Sequence, residues 1–168
     1  MPGSRSVKYR YLDASALVKL YVDEQASDVV RAFFNGHPKP FQTTALCFAE
    51  AINVFKRKWQ KKELPDEAYF EATWRLITSA WGREIEIQEY GMTDPFVHGD
   101  VEQIAERNPG IDFSDALQLV TLLKGRHSFL INESRSVLIT GDKQLALAAE
   151  KEGVRVWYCM KGEVPPWA

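Results

Sequence analysis

Residues 9–20 read Tyr9-Arg10-Tyr11-Leu12-Asp13-Ala14-Ser15-Ala16-Leu17-Val18-Lys19-Leu20, and the pattern changes at the aspartate. The aromatic and apolar run before Asp13 is typical of a strand, and the apolar spacing after it is typical of a helix. The same order returns where Val137-Leu138-Ile139-Thr140 runs through Gly141-Asp142 into a helical pattern. Parallel strands end at one edge of a sheet, where open α/β sheets place their sites. We therefore expect Asp13 and Asp142 to lie close together.

The rest of the chain also alternates between short apolar runs and helical patterns. Further strands are predicted at 41–44, 84–88 and 154–158, with a loop at 132–136 before the Val137 strand. Helices are predicted at 14–22, 27–34, 45–62, 66–81, 96–107, 114–124 and 143–150. This alternation predicts a three-layer α/β/α sandwich with a parallel central sheet. The predicted domain spans 1–158 and is followed by a C-terminal tail at 159–168.

Composition limits the function classes that need to be considered. The chain has 168 residues, of which 45% are hydrophobic, which suits one domain. With 21 basic and 23 acidic residues the net charge is −2, so any nucleic-acid affinity must come from a local patch. Cys47 and Cys159 form neither a disulfide framework nor a CxxC pair, which excludes a zinc finger and favours a reducing compartment. No signal peptide or membrane-spanning run is apparent, so we expect a soluble, cytoplasmic protein.

Four acidic residues lie at predicted strand ends or early in predicted helices: Asp13, Glu50, Asp115 and Asp142. Taken singly, Asp13 and Asp142 are good helix N-caps, and Glu50 is an ordinary solvated helical glutamate. At one sheet edge, however, four carboxylates would repel one another strongly, and a divalent cation would relieve the repulsion. Oxygen ligands without His or Cys suit Mg²⁺ or Mn²⁺, and such an ion can activate a water for attack on phosphorus.

Asp115 is the acid that local structure explains least well. It shares one face of its helix with Leu119 and Leu122, and a charge beside core leucines is unfavourable unless it is paired or binds a metal. Capping of this helix falls more naturally to Asp112 or Ser114. We therefore predict a functional role for Asp115 and a capping role for Asp112.

Four motifs follow one another along nearly the whole chain. They are Leu12-Asp13-Ala14-Ser15-Ala16-Leu17-Val18-Lys19, Ala49-Glu50-Ala51, Ser114-Asp115-Ala116-Leu117-Gln118-Leu119 and Ile139-Thr140-Gly141-Asp142-Lys143-Gln144-Leu145. In order and spacing the set resembles PIN domains, and most of all the toxin ribonucleases of VapBC-type toxin–antitoxin pairs. The resemblance implies a Mg²⁺- or Mn²⁺-dependent endoribonuclease whose catalytic and metal-binding acids are Asp13, Glu50, Asp115 and Asp142. It also implies that Ser15 and Thr140 support the site by holding Asp13 or a water on the metal.

The same resemblance implies three partners, namely an RNA substrate, a second copy in a homodimer, and a small antitoxin that holds the protein inactive. The chain departs from the family pattern in its Pro165-Pro166-Trp167 extension and its five tryptophans. These tryptophans would suit a dimer surface or a partner groove. Trp74 and Trp81, seven positions apart on one predicted helix, are instead expected to pack inside the fold.

A basic stripe leads away from Glu50 along the predicted helix 45–62. Asn53, Arg57 and Lys61 share its face, and the run Lys56–Lys62 holds five basic residues in seven. We predict that this stripe binds RNA phosphates, although a solvated helix face would have the same composition. The core should take the opposite face, which carries Phe48, Ile52, Phe55 and Trp59.

Three other functions fit parts of the pattern. A haloacid-dehalogenase-like phosphatase also begins with a strand that ends in Asp, but it needs a second acid two residues later, where this chain has Ser15. A non-catalytic PIN-like module that binds RNA or protein would be favoured by the lack of one acid, and all four are present. A DNA-directed nuclease stays open, because the 2′-hydroxyl contacts that distinguish RNA from DNA leave no motif here.

Overall fold

Five parallel strands form the centre of the fold in the computed structural model, which describes residues 8–128 and 135–168. The strands are β1 (Lys8–Leu12), β2 (Phe41–Thr44), β3 (Ile85–Gln88), β4 (Arg135–Thr140) and β5 (Arg155–Tyr158). Their order in the sheet is β3-β2-β1-β4-β5, and every pairing is parallel. Because Leu12 lies opposite Ile139, the ends of β1 and β4 are level. Asp13, the residue after β1, and Thr140, the last residue of β4, are therefore neighbours.

Seven α-helices of the described residues cover the two faces of the sheet. They are α1 (Ala14–Tyr21), α2 (Ser27–Gly36), α3 (Ala45–Gln60), α4 (Asp66–Trp81), α5 (Pro95–Arg107), α6 (Phe113–Lys124) and α7 (Lys143–Lys151). One cluster of buried side chains joins the sheet to α1–α4, and a second joins it to α5–α7. Adjacent strand residues alternate between the clusters, with Leu138 in the second and Ile139 in the first. The predicted three-layer α/β/α sandwich is confirmed.

The main differences from the predicted boundaries lie at β4 and the C-terminus. Arg135 and Ser136 belong to β4, where they pair with β1, and not to the predicted loop. Residues 159–161 form a short 3₁₀ turn, and Ala168 is buried in the first cluster, where its carbonyl accepts a 3.2 Å hydrogen bond from Lys8 Nζ. The tail therefore packs back onto the domain. The expectations for the N-terminal residues 1–7 and for the loop residues 132–134 lie outside the described residues.

The two long helices α3 and α4 expose different kinds of surface. On α3, Phe55 is buried, and Phe48 and Ile52 pack against the first cluster as expected. Trp59 stacks instead on Tyr69 of α4, with 5.0 Å between ring centroids, so it joins the helix pair and not the core. The opposite face of α3, which carries Asn53, Arg57 and Lys61, is exposed.

An apolar face of α4 is exposed to solvent. We call it the α4 stripe, and it consists of Phe70, Trp74, Ile77 and Trp81. Trp74 is 67% exposed and Trp81 90%, so the expected packing role of these tryptophans is wrong. The reason is that α4 has two apolar faces, and the one containing Ala72 and Leu76 is buried. Among the described residues, no helix is long and apolar enough to cross a membrane.

Candidate functional site

Asp13 lies at the end of the central strand with its carboxylate almost fully buried. Its Oδ1 accepts hydrogen bonds from Ala16 N (2.7 Å) and Ser15 Oγ (2.8 Å). Its Oδ2 accepts a 2.6 Å hydrogen bond from Thr140 Oγ1. Asp13 therefore caps α1 and links β1 to the end of β4. Both hydroxyls that were expected to support Asp13 are in contact with it.

The turn after β4 brings Asp142 beside Asp13. Thr140 Oγ1, which donates to Asp13, also accepts from Asp142 N at 2.9 Å. Gly141 N donates to Ser15 Oγ at 2.7 Å, and a Cβ at this glycine would lie only 3.1 Å from that oxygen, so the close approach favours glycine. Asp142 caps α7, because its Oδ1 accepts from the amides of Gln144 and Leu145. One hydroxyl thus connects the two aspartates, in agreement with their predicted proximity.

Asp115 faces the other acids from the first turn of α6. Asp112 is the N-cap of this helix, and its Oδ1 accepts a 2.9 Å hydrogen bond from Asp115 N, which leaves Asp115 free of the capping role as expected. Burial, together with repulsion by neighbouring carboxylates, raises the pKa of Asp115 to about 7. The acids that repel it are, in decreasing order, Asp112, Asp13 and Asp142.

The pKa of Asp13 is raised in the same way. This pKa is about 6, because burial and, to a smaller extent, the charge of Asp142 raise it more than the hydrogen bonds from Thr140, Ala16 and Ser15 lower it. At one edge of the sheet the protein therefore holds two carboxyl groups, Asp13 and Asp115, whose pKa values of about 6 and about 7 lie well above the ordinary 3.8. Raised pKa values of this origin in neighbouring groups are typical of functional sites.

Glu50 lies at the solvent-facing side of this group. It is exposed on α3, and its pKa is raised by partial burial first and then by the charge of Asp112. Arg57 lowers the pKa of Glu50, while Asp142 raises it. Glu50 therefore belongs to the same electrostatic environment as the aspartates. It also begins the exposed face of α3 that continues through Asn53, Arg57 and Lys61.

Sequence reasoning missed one buried cation near this edge, Lys19. Its side chain is 6% exposed, and its Nζ pairs with Glu24 at 3.1 Å. A Cβ at Gly141 would lie 3.5 Å from this nitrogen, which places the ammonium group beside the turn after β4. One feature of the sequence could have identified Lys19. It lies four residues after Ser15, which puts both side chains on one face of α1.

The oxygen donors at this edge suit a hard cation such as Mg²⁺. Within residues 8–128 and 135–168, however, no group of three or more His, Cys, Asp or Glu side chains is arranged so that it could hold a metal ion. Both oxygens of Asp13 already accept hydrogen bonds. The acids therefore share one edge of the sheet and repel one another without forming a complete set of ligands. Asp142 and Glu50 are exposed, so these two side chains have room to turn toward a cation.

Comparison with known proteins identifies a shared fold. No family model matches the sequence, and no curated protein matches it. Among solved structures, the chain is similar to PAE2754 from Pyrobaculum aerophilum, with a TM-score of 0.56 over 95% of this chain and 94% of that one. The two sequences are 21% identical. At this level of identity the similarity establishes the α/β fold and carries no statement about activity.

Proposed function

We propose that this protein is a PIN-like ribonuclease that uses Mg²⁺ or Mn²⁺ to hydrolyse RNA phosphodiester bonds. The observation that carries the proposal is the concentration of carboxylates at the C-terminal edge of the sheet, where burial and mutual repulsion raise the pKa of Asp13 to about 6 and that of Asp115 to about 7. A divalent cation would relieve this repulsion. When bound, it would supply Lewis-acid chemistry, by lowering the pKa of a water and neutralising charge on the phosphate.

Each residue of the edge has a distinct part in the proposal. Asp13 and Asp142 are the best candidates for direct ligands, because Asp13 is fixed by two hydroxyls and Asp142 uses only Oδ1 to cap α7. Asp115 and Glu50 would complete the ligand set or orient the attacking water by accepting its proton. Ser15 and Thr140 keep the Asp13 carboxylate in one orientation.

A second function is favoured by a specific observation. Because the described residues contain no complete metal-binding group, and both Asp13 oxygens accept hydrogen bonds, the same fold would also suit a PIN-like module that binds RNA or protein without cleaving it. The two functions differ in one measurable respect, which is whether RNA is cut when a divalent cation is supplied.

We expect the purified protein to cleave a labelled single-stranded RNA with Mg²⁺ or Mn²⁺ and to be inactive in excess EDTA. The physical reason is that the two hydroxyls at this edge, Ser15 Oγ and Thr140 Oγ1, are hydrogen-bonded to Asp13 and to backbone amides and not to a histidine that could activate them. Gel analysis of a fluorescent oligonucleotide, with re-addition of Mn²⁺ as the control, measures this. Cleavage that continues in EDTA would contradict the metal-dependent mechanism, and no cleavage under any condition would favour the binding module.

The exposed face of α3 supports RNA as the substrate. Asn53, Arg57 and Lys61 are exposed in a row that begins at Glu50. Lys58 does not belong to this row, since its Nζ pairs with Glu24 at 2.8 Å. We therefore propose that Arg57 and Lys61 contact the phosphates on one side of the cleaved bond.

Replacing Arg57 and Lys61 together with Ala is expected to weaken RNA binding and to reduce its salt dependence, with turnover at saturating RNA largely retained. Removing one interaction with a phosphate lowers the slope of log K against log salt by about 0.7 for a single strand. Fluorescence anisotropy at several salt concentrations measures the slope. The matched control is the Lys56→Ala/Lys62→Ala protein, which loses the same charge elsewhere on the segment. Equal slopes for the two variants would show that this face of α3 is solvated and does not bind RNA phosphates.

We also propose that the protein forms a homodimer and that a small antitoxin holds it inactive in the cell. The α4 stripe supports association, because exposed apolar patches mark interaction surfaces. Its residues, Phe70, Trp74, Ile77 and Trp81, follow the four-three-four spacing of a seam between paired helices. A second copy that supplies the same helix would cover this seam.

Changing both Trp74 and Trp81 to Glu is expected to convert a dimer into a monomer, because it places charge on the most exposed part of the stripe. Light scattering at micromolar concentration measures the mass. A variant with Gln25→Glu and Gln103→Glu adds the same charge at other exposed positions and should stay dimeric. A monomeric parent that causes no growth defect when expressed alone would contradict both the dimer and the antitoxin.

A further inference from the structure

A cavity next to the acidic residues has no part in the proposed chemistry. Its volume is about 340 Å³, and it opens where β2 and β3 end. The start of α3, one side of α6 and the segment 88–93 after β3 form its walls. A volume of this size is at the lower end of the range for sites that bind small molecules.

The cavity shares its supporting elements with the acids. Neighbouring strands lie about 4.8 Å apart, so the ends of β2 and β3 are within roughly 10 Å of the end of β1, where Asp13 lies. Helix α6 carries Asp115 and, two residues later, Leu117 in the cavity wall. Helix α3 contributes Ala45 to the wall and carries Glu50. A nucleotide next to a phosphate at the acids can therefore reach the cavity.

The side chains in the wall suit a flat, uncharged ring. Tyr90 and Met92 provide an aromatic face and a flexible apolar side chain, and Leu117 lies among the apolar lining. Bases of single-stranded nucleic acids stack on aromatic side chains regardless of their sequence. The lining within the described residues contains no lysine or arginine, so it offers no cation to a phosphate.

Polar groups in the same wall are positioned to contact the edge of a base. Gln88 is buried, and its Nε2 donates to Gln42 Oε1 at 2.6 Å, which fixes the amide and leaves its own oxygen as an acceptor. Thr44 lies in the same wall, and its Oγ1 accepts from Cys47 N. Glu89 adds a carboxylate acceptor. Two acceptors favour a base with an exocyclic amino group, such as cytosine or adenine, over uracil.

We propose that this cavity binds one nucleobase of a single-stranded RNA, adjacent to the phosphate that faces the acids. The proposal rests on the proposed function, because it assigns a specificity site to the same substrate. Tyr90 stacks on the base, and Gln88 and Glu89 read its amino group. Affinity for RNA then comes from the α3 face, and the preference for a base comes from the cavity.

The test measures binding without cleavage, using fluorescein-labelled pentacytidylate and pentauridylate in EDTA. The parent should bind pentacytidylate more tightly, and Tyr90→Ala should weaken that binding roughly tenfold, as expected when one stacked aromatic ring is removed. A Phe96→Ala protein, which loses an exposed aromatic side chain on α5 outside the cavity lining, is the matched control and should bind like the parent. Glu89→Ala changes an exposed residue, so its fold should survive, and it should reduce the preference for cytidine over uridine.

The outcomes separate this inference from the proposed function. Equal affinities for the parent, Tyr90→Ala and Glu89→Ala proteins would overturn the base site even if the protein cleaves RNA. Binding that depends on Tyr90 in a protein that never cleaves would support the site and reject the nuclease. If Tyr90→Ala misfolds, Glu89→Ala decides the question. No binding of either oligonucleotide by the parent in EDTA would overturn the base site, while the cleavage assay with Mg²⁺ decides the nuclease separately.

Discussion

Replacing Asp13 with Asn is expected to abolish RNA hydrolysis, by at least about a hundredfold, while the protein stays folded. The amide keeps the shape of the carboxylate and can still accept hydrogen bonds from Ala16 N and Ser15 Oγ, but it lacks the charge that attracts a cation. Because burial raises the pKa of Asp13 from 3.8 to about 6, ionising it costs the folded protein about 3 kcal/mol at neutral pH. The substitution should therefore also raise the melting temperature by a few degrees in metal-free buffer.

Cleavage of a labelled RNA at saturating Mg²⁺, circular dichroism and thermal melting together test this expectation. The Asp28→Asn protein is the matched control, because it loses one negative charge at an exposed position in the first turn of α2. It should keep the activity and melting temperature of the parent. An Asp13→Asn protein as active as the parent would remove Asp13 from the chemistry and leave the binding module as the better function.

In metal-free buffer, the free energy of unfolding is expected to fall as the pH rises from about 4 to about 7. The folded protein holds the protons of Asp13 and Asp115 more tightly than the unfolded chain does, because both pKa values are raised, from 3.8 to about 6 and about 7. Stability is therefore greatest below the unfolded pKa and is lost as the pH rises through the folded values. Adding Mn²⁺ near pH 7 should restore the lost stability, because a ligand that binds the folded state stabilises it.

Urea unfolding between pH 5 and 7.5, in EDTA and in Mn²⁺, measures both effects. The pKa values of Glu24 and Glu152 are lowered from 4.5 and change stability in the opposite direction, at pH values below this range. The pKa of His127 is lowered from 6.5 by burial, so this group opposes the decline within the range. In Asp115→Asn the decline with pH should be shallower, and the response to Mn²⁺ weaker. A parent protein whose stability stays level across this range in EDTA and does not respond to Mn²⁺ would show that these acids share no cation.

The strands and helices were predictable because each leaves a periodic pattern in the sequence. Residues 41–44 and 143–150 were placed almost without error, since a short apolar run and a spacing of three and four are local features. The capping role of Asp112 is equally local, since the residue precedes a helix and its side chain reaches the third amide beyond it.

The contacts of the site depend on strand order, which no local pattern contains. The resemblance to PIN domains implied Ser15 and Thr140 as supports, but the 2.6 Å hydrogen bond from Thr140 to Asp13 requires β4 to lie beside β1. Lys19 was missed because a lysine within an apolar helix usually extends its amine to solvent. Its burial follows from the approach of Glu24, five residues along the chain, and of Gly141, which comes from a distant part of it.

The α4 stripe shows a different limit of prediction from sequence. Periodicity identifies the apolar faces of a helix, but it cannot show which of two faces another element will cover. On α4 the face with Ala72 and Leu76 packs inward, and Trp74 and Trp81 stay outside. The electrostatic relation among the acids likewise requires the folded chain, because each pKa shift depends on how deeply the side chain is buried.

The pairing of β1 with β4 has a consequence for biosynthesis. Asp13 is translated 127 residues before its partner Thr140, which belongs to β4. Contacts between such distant segments form late, because the intervening chain must be complete before the ends can meet. A nascent chain whose β4 has not yet emerged from the ribosome therefore lacks the C-terminal edge of the sheet on which the proposed activity depends. A nuclease built in this way would not cleave the messenger RNA that encodes it before β4 has been translated.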